Sequence, residues 1–164
     1  MTTREATVFF FCAGGTSLRL MSFAVLIEMH GTALYETAIK MSYDFQGKQI
    51  LVLEDDALLA MDMEDFLSDL GVNVVGPVSH IGAALEKINT TDLDGAVIDL
   101  NLRGELSFPV IEELRAANIP FIICSGYAEI PGIRAQLDGL TIVSKPCDFD
   151  NLSDVLANEL SLTV

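Results

Sequence analysis

From Lys48 onward, short runs of apolar residues alternate with segments in which apolar residues recur at helical spacing. Strands that are apolar on both faces are typical of a parallel sheet that is covered by helices on both sides. Parallel strands also need long crossover connections, which are usually helices. The alternation therefore predicts an α/β domain with a doubly wound sheet of five parallel strands, in KQILVLEDD, VNVVGPV, DGAVIDL, IPFIICSG and LTIVSKP.

The segments between these runs predict the helices. DALLAMDMEDFLSDLG follows the first strand, and its expected apolar face comprises Leu59, Met63, Phe66, Leu67 and Leu70. HIGAALEKI and SFPVIEELRAAN predict two further helices, the second with Pro109 in its first turn. Pro131 and Gly132 interrupt YAEIPGIRAQLDG, so we expect a degraded fourth helix there. DFDNLSDVLANELSL predicts a final helix with Asp148 or Asp150 as its cap.

Residues 1–47 have a different character. The segment VFFFCAGGTSLRLMSFAVLIEM is apolar, but Arg19 and the glycines at 14 and 15 interrupt it. A spanning helix needs about 20 predominantly apolar residues, and a signal peptide needs a basic start and a cleavage site. We therefore predict an unassigned N-terminal extension over residues 1–47, one domain over residues 48–164, and a cytoplasmic location without membrane insertion.

The charge of the chain narrows the possible ligands. The 24 acidic residues exceed the 9 basic ones, which gives a formal net charge of −15. Nucleic-acid binding needs clustered lysine and arginine to contact phosphates, so this balance argues against a nucleic-acid partner. An acidic chain is better suited to a divalent cation or to a basic patch on another protein.

Polar residues follow the apolar strands, where burial should end. Right-handed crossovers bring the carboxyl ends of all parallel strands to one edge of the sheet. In the flavodoxin-like strand order 2-1-3-4-5, strands one and three are neighbours where the winding reverses, and ligands bind there. The residues at these ends are Glu54, Asp55 and Asp56 after strand one, Asp99 at strand three, Ser125 at strand four, and Lys145 and Pro146 after strand five.

These side chains are suited to phosphoryl transfer. Acids crowded at one place repel one another unless a cation joins them, and Mg²⁺ prefers oxygen ligands of this kind. Asp56 is better explained as the N-cap of the first helix. Lys145 can balance charge and contact a phosphoryl group, and Ser125 can donate its hydroxyl to a phosphoryl oxygen. The set therefore predicts a carboxylate nucleophile that accepts a phosphoryl group.

With this combination of residues, the chain resembles the receiver domain of two-component response regulators over about residues 48–162. The resemblance implies that Asp99 takes a phosphoryl group from a phosphohistidine on a sensor histidine kinase or a phosphotransfer protein. It implies that Asp55 ligates Mg²⁺ directly, that Glu54 acts through water, and that Asn101 offers its backbone carbonyl to the metal. Asp99 itself would complete the protein ligands.

The resemblance also assigns the signalling residues. It implies that Ser125 follows the phosphoryl group, that Lys145 pairs with it, and that Pro146 follows a cis peptide bond. The family often has Tyr or Phe three residues before the lysine, where this chain has Ile142. CSGYAEIPG instead resembles the TGY segment of α-proteobacterial receivers, so we expect Ser125 and Tyr127 to form the switch.

The sequence leaves several functions open. The leading hypothesis is a receiver that signals to an unknown downstream protein and has no enzymatic activity beyond its own phosphorylation and dephosphorylation. The alternatives are a phosphate sink and the C-terminal receiver of a hybrid kinase, because AGGTSLRLMSF faintly resembles the end of a kinase ATPase domain. A hydrolase with an aspartyl phosphate is disfavoured, because such enzymes want Asp where this chain has Asn101. A phosphorylation-independent interaction module is a further alternative function. A homodimer is a possible oligomeric state.

Overall fold

The computed structural model describes residues 43–126 and 136–161, and the structural statements below concern these residues. Residues 1–42, which make up most of the predicted extension, and residues 127–135 lie outside this range, as does Tyr127. The elements in chain order are β1 Gln49–Leu53, α1 Ala57–Asp69, β2 Asn73–Val78, α2 Ile81–Thr90, β3 Gly95–Asp99, β4 Asn101–Leu102, β5 Glu105–Leu106, α3 Phe108–Ala116, β6 Phe121–Ser125, β7 Ile142–Ser144 and α4 Phe149–Ser161.

Five parallel strands form one sheet in the order β2-β1-β3-β6-β7. This is the predicted order 2-1-3-4-5, with β6 and β7 as the fourth and fifth strands of the prediction, so the predicted fold class is confirmed. The predicted degraded helix falls largely on residues 127–135, outside the described residues. Among the described residues, no helix combines the length and the apolar character that crossing a membrane requires.

Alternate residues of the strands pack against helices on opposite faces of the sheet. On one face, strand residues pack against α2 and α3 in a cluster that includes Leu51, Leu53, Ile98, Ile88 and Leu114. On the other face, the cluster joins the sheet to α1 and α4 and includes Ile50, Val52, Val97, Leu67 and Leu156. Both faces are therefore covered, which explains why the strands are apolar throughout.

Aspartate side chains cap two of the helices. Asp56 Oδ1 accepts hydrogen bonds from the backbone N–H groups of Leu58 and Leu59, at 2.9 and 3.3 Å. Asp148 Oδ1 accepts from the N–H groups of Asp150 and Asn151, at 3.0 and 3.4 Å. The carboxylates satisfy N–H groups that have no partner within the helix. The predicted capping role of Asp56 is confirmed, and Asp148 is the cap of α4.

The buried face of α1 differs from the prediction at its N-terminal end. Ala60, Met63 and Leu67 are the buried residues of this helix, whereas the Leu59 side chain is 45% exposed. Spacing alone cannot distinguish a stripe through residue 59 from one through residue 60, because the two are offset by a single position. Packing against the sheet selects the stripe that includes the small Ala60, so the prediction for Leu59 was wrong.

A short antiparallel hairpin between β3 and α3 was not predicted. Strands β4 and β5 pair Asn101 with Leu106 and Leu102 with Glu105, and residues 103 and 104 form the turn. Both turn residues have positive φ, 53° at Arg103 and 97° at Gly104, as a type I′ turn requires. The N–H of Gly104 donates to Asn101 Oδ1 at 2.7 Å and closes the turn. Arg-Gly is not the usual Asn-Gly or Asp-Gly signal, so the sequence pattern did not reveal the hairpin.

Two leucines on α1 provide a test of this packing. Leu67 is fully buried, so Leu67→Ala should lower the free energy of unfolding by about 2–5 kcal/mol, because it removes buried methyl groups and leaves a cavity. Leu58 is 73% exposed, and Leu58→Ala should change it by less than about 0.5 kcal/mol. Urea denaturation of both variants measures the difference. Equal losses would contradict the described orientation of α1.

Candidate functional site

The predicted site residues come from the carboxyl ends of four strands. Glu54 directly follows β1, Asp99 ends β3, Ser125 ends β6, and Lys145 directly follows β7. Neighbouring strands are in parallel register, with Leu53 beside Ile98 and Asp99 beside Cys124. Parallel pairing therefore brings all these strand ends to the same edge of the sheet, at the position where the winding reverses.

Asp99 lies at the centre of this edge and is held by three hydrogen bonds. Its side chain is largely buried, with 9% of its surface exposed. Oδ2 accepts from Lys145 Nζ at 2.7 Å, and Oδ1 accepts from the backbone N–H of Asn101 at 3.1 Å. Its backbone carbonyl accepts from the hydroxyl of Ser107 at 2.7 Å. These bonds fix both the main chain and the carboxylate of Asp99.

Ser107 is a residue of the site that sequence reasoning missed. It is fully buried and directly precedes α3, yet its side chain makes no capping bond and reaches Asp99 instead. The backbone also holds it, because the N–H of Ser107 donates to the carbonyl of Leu100 at 2.9 Å. A serine before a helix reads as an ordinary cap, so nothing in the sequence indicated this contact.

Lys145 connects two carboxylates across the site. Its ammonium donates to Glu54 Oε2 at 2.5 Å and to Asp99 Oδ2 at 2.7 Å. Burial alone would lower the pKa of this ammonium, but the hydrogen bonds to Asp99 and Glu54 outweigh it and raise the pKa above its usual value. Lys145 is therefore a fixed positive charge at neutral pH.

Glu54 is held on both sides. Oε1 accepts from the backbone N–H of Asp56 at 3.2 Å, and Oε2 accepts from Lys145. Burial raises the pKa of the Glu54 carboxyl, and the bonds to Lys145 and to the Asp56 N–H oppose this effect only in part. The carboxyl therefore sits where a second cation would stabilise its charged form.

Glu54, Asp55 and Asp99 form a group that could hold a metal ion. One carboxylate oxygen from each of the three residues lies within 4.8 Å of the other two. Hard oxygen donors at this separation suit Mg²⁺, which binds to one or two carboxylates and keeps several waters. Asn101 lies beside the group, and its side chain is bound to Gly104 in the hairpin turn. The residues present therefore fit the predicted ion.

Arg103 is a second residue that sequence reasoning missed. From the turn of the β4–β5 hairpin, its Nε donates to Asp55 Oδ2 at 3.0 Å, and its Nη2 donates to the backbone carbonyl of Asp55 at 3.0 Å. The Arg103 side chain is 81% exposed, whereas that of Asp55 is only 14% exposed. An exposed arginine 48 positions away in sequence gave no signal of this contact.

Of the remaining predicted residues, the structure describes Ser125, Pro146 and Ile142 but not Tyr127. Ser125 is buried, and its carbonyl accepts from the backbone N–H of Lys145 at 3.1 Å, which ties the ends of β6 and β7 together. The peptide bond between Lys145 and Pro146 is cis, as predicted. Ile142 is half-buried at the start of β7. Tyr127, the other predicted switch residue, lies outside the described residues.

Comparison with known proteins identifies the family. The family model of the response regulator receiver domain matches residues 50–157, which is more than half of the chain. This chain belongs to the receiver domain family. The predicted resemblance is thereby confirmed, and the receiver fold agrees with the observed strand order.

Individual proteins are similar to this receiver domain over about two thirds of the chain. The phyllosphere-induced regulator PhyR of Methylorubrum extorquens is 26% identical over 68% of the chain and 43% of its own length. The two-component response regulator PhoP of Pseudomonas aeruginosa is 32% identical over 63% of the chain and 48% of its own length. The solution structure of SdrG from Sphingomonas melonis Fr1 has a TM-score of 0.61 and 35% identity, over 70% of this chain and 97% of SdrG. The chain spans less than half the length of the two curated relatives.

The bond from Ser107 to Asp99 can be tested by deletion of the hydroxyl. Ser107→Ala leaves the buried carbonyl of Asp99 without this donor, so the free energy of unfolding should fall by about 1–3 kcal/mol. Ser153 is the matched control, since its hydroxyl also donates to a backbone carbonyl, that of Asp150, at 2.9 Å, but in an exposed position. Ser153→Ala should cost clearly less in the same urea titration. A loss at Ser107 no larger than that at Ser153 would contradict the described bond.

Proposed function

We propose that this receiver domain accepts a phosphoryl group on Asp99 from a phosphohistidine of a sensor histidine kinase or phosphotransfer protein. The observation that carries the proposal is the arrangement around Asp99, which has Lys145 on one carboxylate oxygen and the acidic residues 54 and 55 nearby. A carboxylate held between a fixed cation and a potential metal site can attack phosphorus while the charge of the phosphoryl oxygens is neutralised. The domain then signals through contacts with another protein.

In the proposed reaction, a carboxylate oxygen of Asp99 forms a bond to phosphorus as the bond from phosphorus to the histidine nitrogen breaks. Positioning and charge neutralisation supply most of the catalysis in such transfers. The hydrogen bond from Asn101 and the bond from Ser107 to its carbonyl hold Asp99 in place. Lys145 supplies a positive charge next to the incoming phosphoryl group.

Mg²⁺ is the proposed cofactor. Asp55 and Asp99 would ligate it directly, Glu54 through water, and Asn101 through its backbone carbonyl, and the ion would neutralise negative charge on the phosphoryl oxygens. Two observations on this chain support the proposal. Three carboxylates lie close enough together to share an ion. The side chain of Asn101 is bound to Gly104 in the turn, whereas its backbone N–H contacts Asp99, so the main chain of Asn101 is the part that faces the site.

The proposed response to phosphorylation runs through Ser125, Lys145 and Tyr127. Ser125 and Lys145 end neighbouring strands and share a backbone hydrogen bond, so a phosphoryl group that attracts both side chains would act on β6 and β7 together. Tyr127 follows β6 by two residues and is proposed to report the change to a downstream protein. A cytoplasmic location, a homodimer, the sink role and the hybrid-kinase alternative all stay predictions.

The hydrolase alternative is further disfavoured by the hairpin. A hydrolase that forms an aspartyl phosphate would need a general acid at position 101, two residues after the nucleophile. Here that side chain is an amide, which cannot act as a carboxylic acid, and its Oδ1 is bound to the N–H of Gly104 at 2.7 Å. We therefore propose no enzymatic activity beyond gain and loss of the phosphoryl group at Asp99.

Phosphorylation at Asp99 can be tested directly. Incubated with Mg²⁺ and acetyl phosphate, the wild-type chain should gain one phosphoryl group that base and hydroxylamine remove, as expected for an acyl phosphate. Asp99→Asn should gain none, because an amide oxygen is a poor nucleophile. Asp56→Asn is the control, since Asn also caps helices and Asp56 caps α1. Intact-mass spectrometry measures the adduct, and equal labelling of the Asp99 variant would rule out this acceptor.

The coupling role of Lys145 gives a second test. Lys145→Ala should still allow phosphorylation of Asp99, but should greatly reduce the accompanying amide chemical-shift changes at Ser125 and Ser144, because the cation that links the phosphoryl group to β7 is gone. Lys87, an exposed lysine on α2, is the control, and Lys87→Ala should leave both responses unchanged. Nuclear magnetic resonance of the acetyl-phosphate-treated proteins measures the shifts. Full-sized shifts in the Lys145 variant would contradict this switch.

A further inference from the structure

We propose that Arg103 is a built-in counter-cation for Asp55, which a divalent ion must displace, so that this arginine sets the metal affinity of the site. The inference rests on the proposed function, because it concerns the same metal. It adds a residue outside the acidic group that controls which cations bind and at what concentration.

The contact geometry supports competition. The Arg103 guanidinium donates hydrogen bonds to Asp55 Oδ2 and to the Asp55 backbone carbonyl, each at 3.0 Å. Asp55 is one of the three residues whose carboxylate oxygens lie within 4.8 Å of one another. A divalent ion on Asp55 would therefore lie within a few ångströms of the guanidinium, where two positive charges repel each other. The ion and the bound guanidinium therefore compete for this carboxylate.

The exposure of the two partners shows which one can move. The Arg103 side chain is 81% exposed, and that of Asp55 is 14% exposed. The guanidinium can turn into water with little change in its hydration. Asp55 cannot leave the site unless the backbone that follows β1 moves with it. Displacement therefore releases the tip of the hairpin and leaves the acidic group in place.

The backbone of Arg103 also indicates a role beyond making a turn. Its φ of 53° lies in the left-handed region, which turns of this type usually fill with Asn, Asp or Gly. The chain thus places an unfavourable residue in the turn, and that residue makes both of its described hydrogen bonds to Asp55. Strain that coincides with contact to a site residue is typical of functional positions.

The same hairpin carries both the competitor and a proposed ligand. Asn101 begins β4, and its N–H donates to Asp99 Oδ1 at 3.1 Å, while Arg103 is two residues further along the chain. An incoming ion would be bound by the base of the hairpin while the tip is released. A monovalent ion has less charge with which to displace the guanidinium, so Arg103 favours divalent over monovalent cations.

The test is Mn²⁺ binding to the unphosphorylated full chain, measured by electron paramagnetic resonance of the free ion. Arg103→Asn keeps a residue that the turn favours and removes the cation. We expect it to bind Mn²⁺ about two- to fivefold more tightly than wild type, as loss of an ion pair of this exposure implies. Arg103→Lys should be intermediate. Arg115→Gln removes one positive charge from an exposed position on α3 and should leave the affinity unchanged.

The outcomes separate this inference from the proposed function. If wild type binds Mn²⁺ and Arg103→Asn binds it no more tightly than Arg115→Gln, the inference is wrong and the metal site stands. If neither wild type nor Arg103→Asn binds Mn²⁺, both the inference and the proposed cofactor are wrong. Should the variant fold poorly, the Arg103 Nε–H resonance of wild type gives the answer, because it should move on addition of Mg²⁺ and a stationary signal would overturn the inference.

Discussion

The ammonium of Lys145 lies between the carboxylates of Glu54 and Asp99, and the arrangement of the site depends on this contact. The three groups come from the ends of β7, β1 and β3, and β6 lies between β7 and β3 in the sheet. A long side chain that reaches across β6 is therefore required to join them. Buried charges are costly unless they are paired, so the two acids can lie together at this edge because the lysine lies between them.

The β4–β5 hairpin is the second element on which the site depends. It follows Asp99 after one residue, Leu100, and Ser107 directly follows the hairpin. At the start of the hairpin, the N–H of Asn101 donates to Asp99 Oδ1, and at its tip the guanidinium of Arg103 donates to Asp55. The hydroxyl of Ser107, just after the hairpin, donates to the backbone carbonyl of Asp99. One short segment thus holds the proposed nucleophile in place and offers a cation to the proposed metal ligand.

Much of the fold and of the candidate site could be predicted because the relevant signals are local or follow from topology. Apolar runs alternating with helical spacing predicted the doubly wound parallel sheet, and parallel strands brought Glu54, Asp99, Ser125 and Lys145 to one edge. The buried face of α1 could not be predicted at Leu59, because packing against the sheet chose between stripes offset by one residue. Arg103 was missed because its partner Asp55 is 48 positions away and its turn lacks the usual residues. Ser107 was missed because a serine directly before a helix resembles an ordinary N-cap.

The sequence by itself determined the α/β class, the positions of the strands and the residue types at their ends, since these depend on periodicity and on the rules of parallel sheets. Only the tertiary structure decided which oxygen each donor contacts. It showed that Lys145 is shared between two acids, that the Asn101 side chain serves the turn, and that Arg103 reaches Asp55. Hydrogen bonds between distant segments depend on distances of a few tenths of an ångström, which no local pattern encodes.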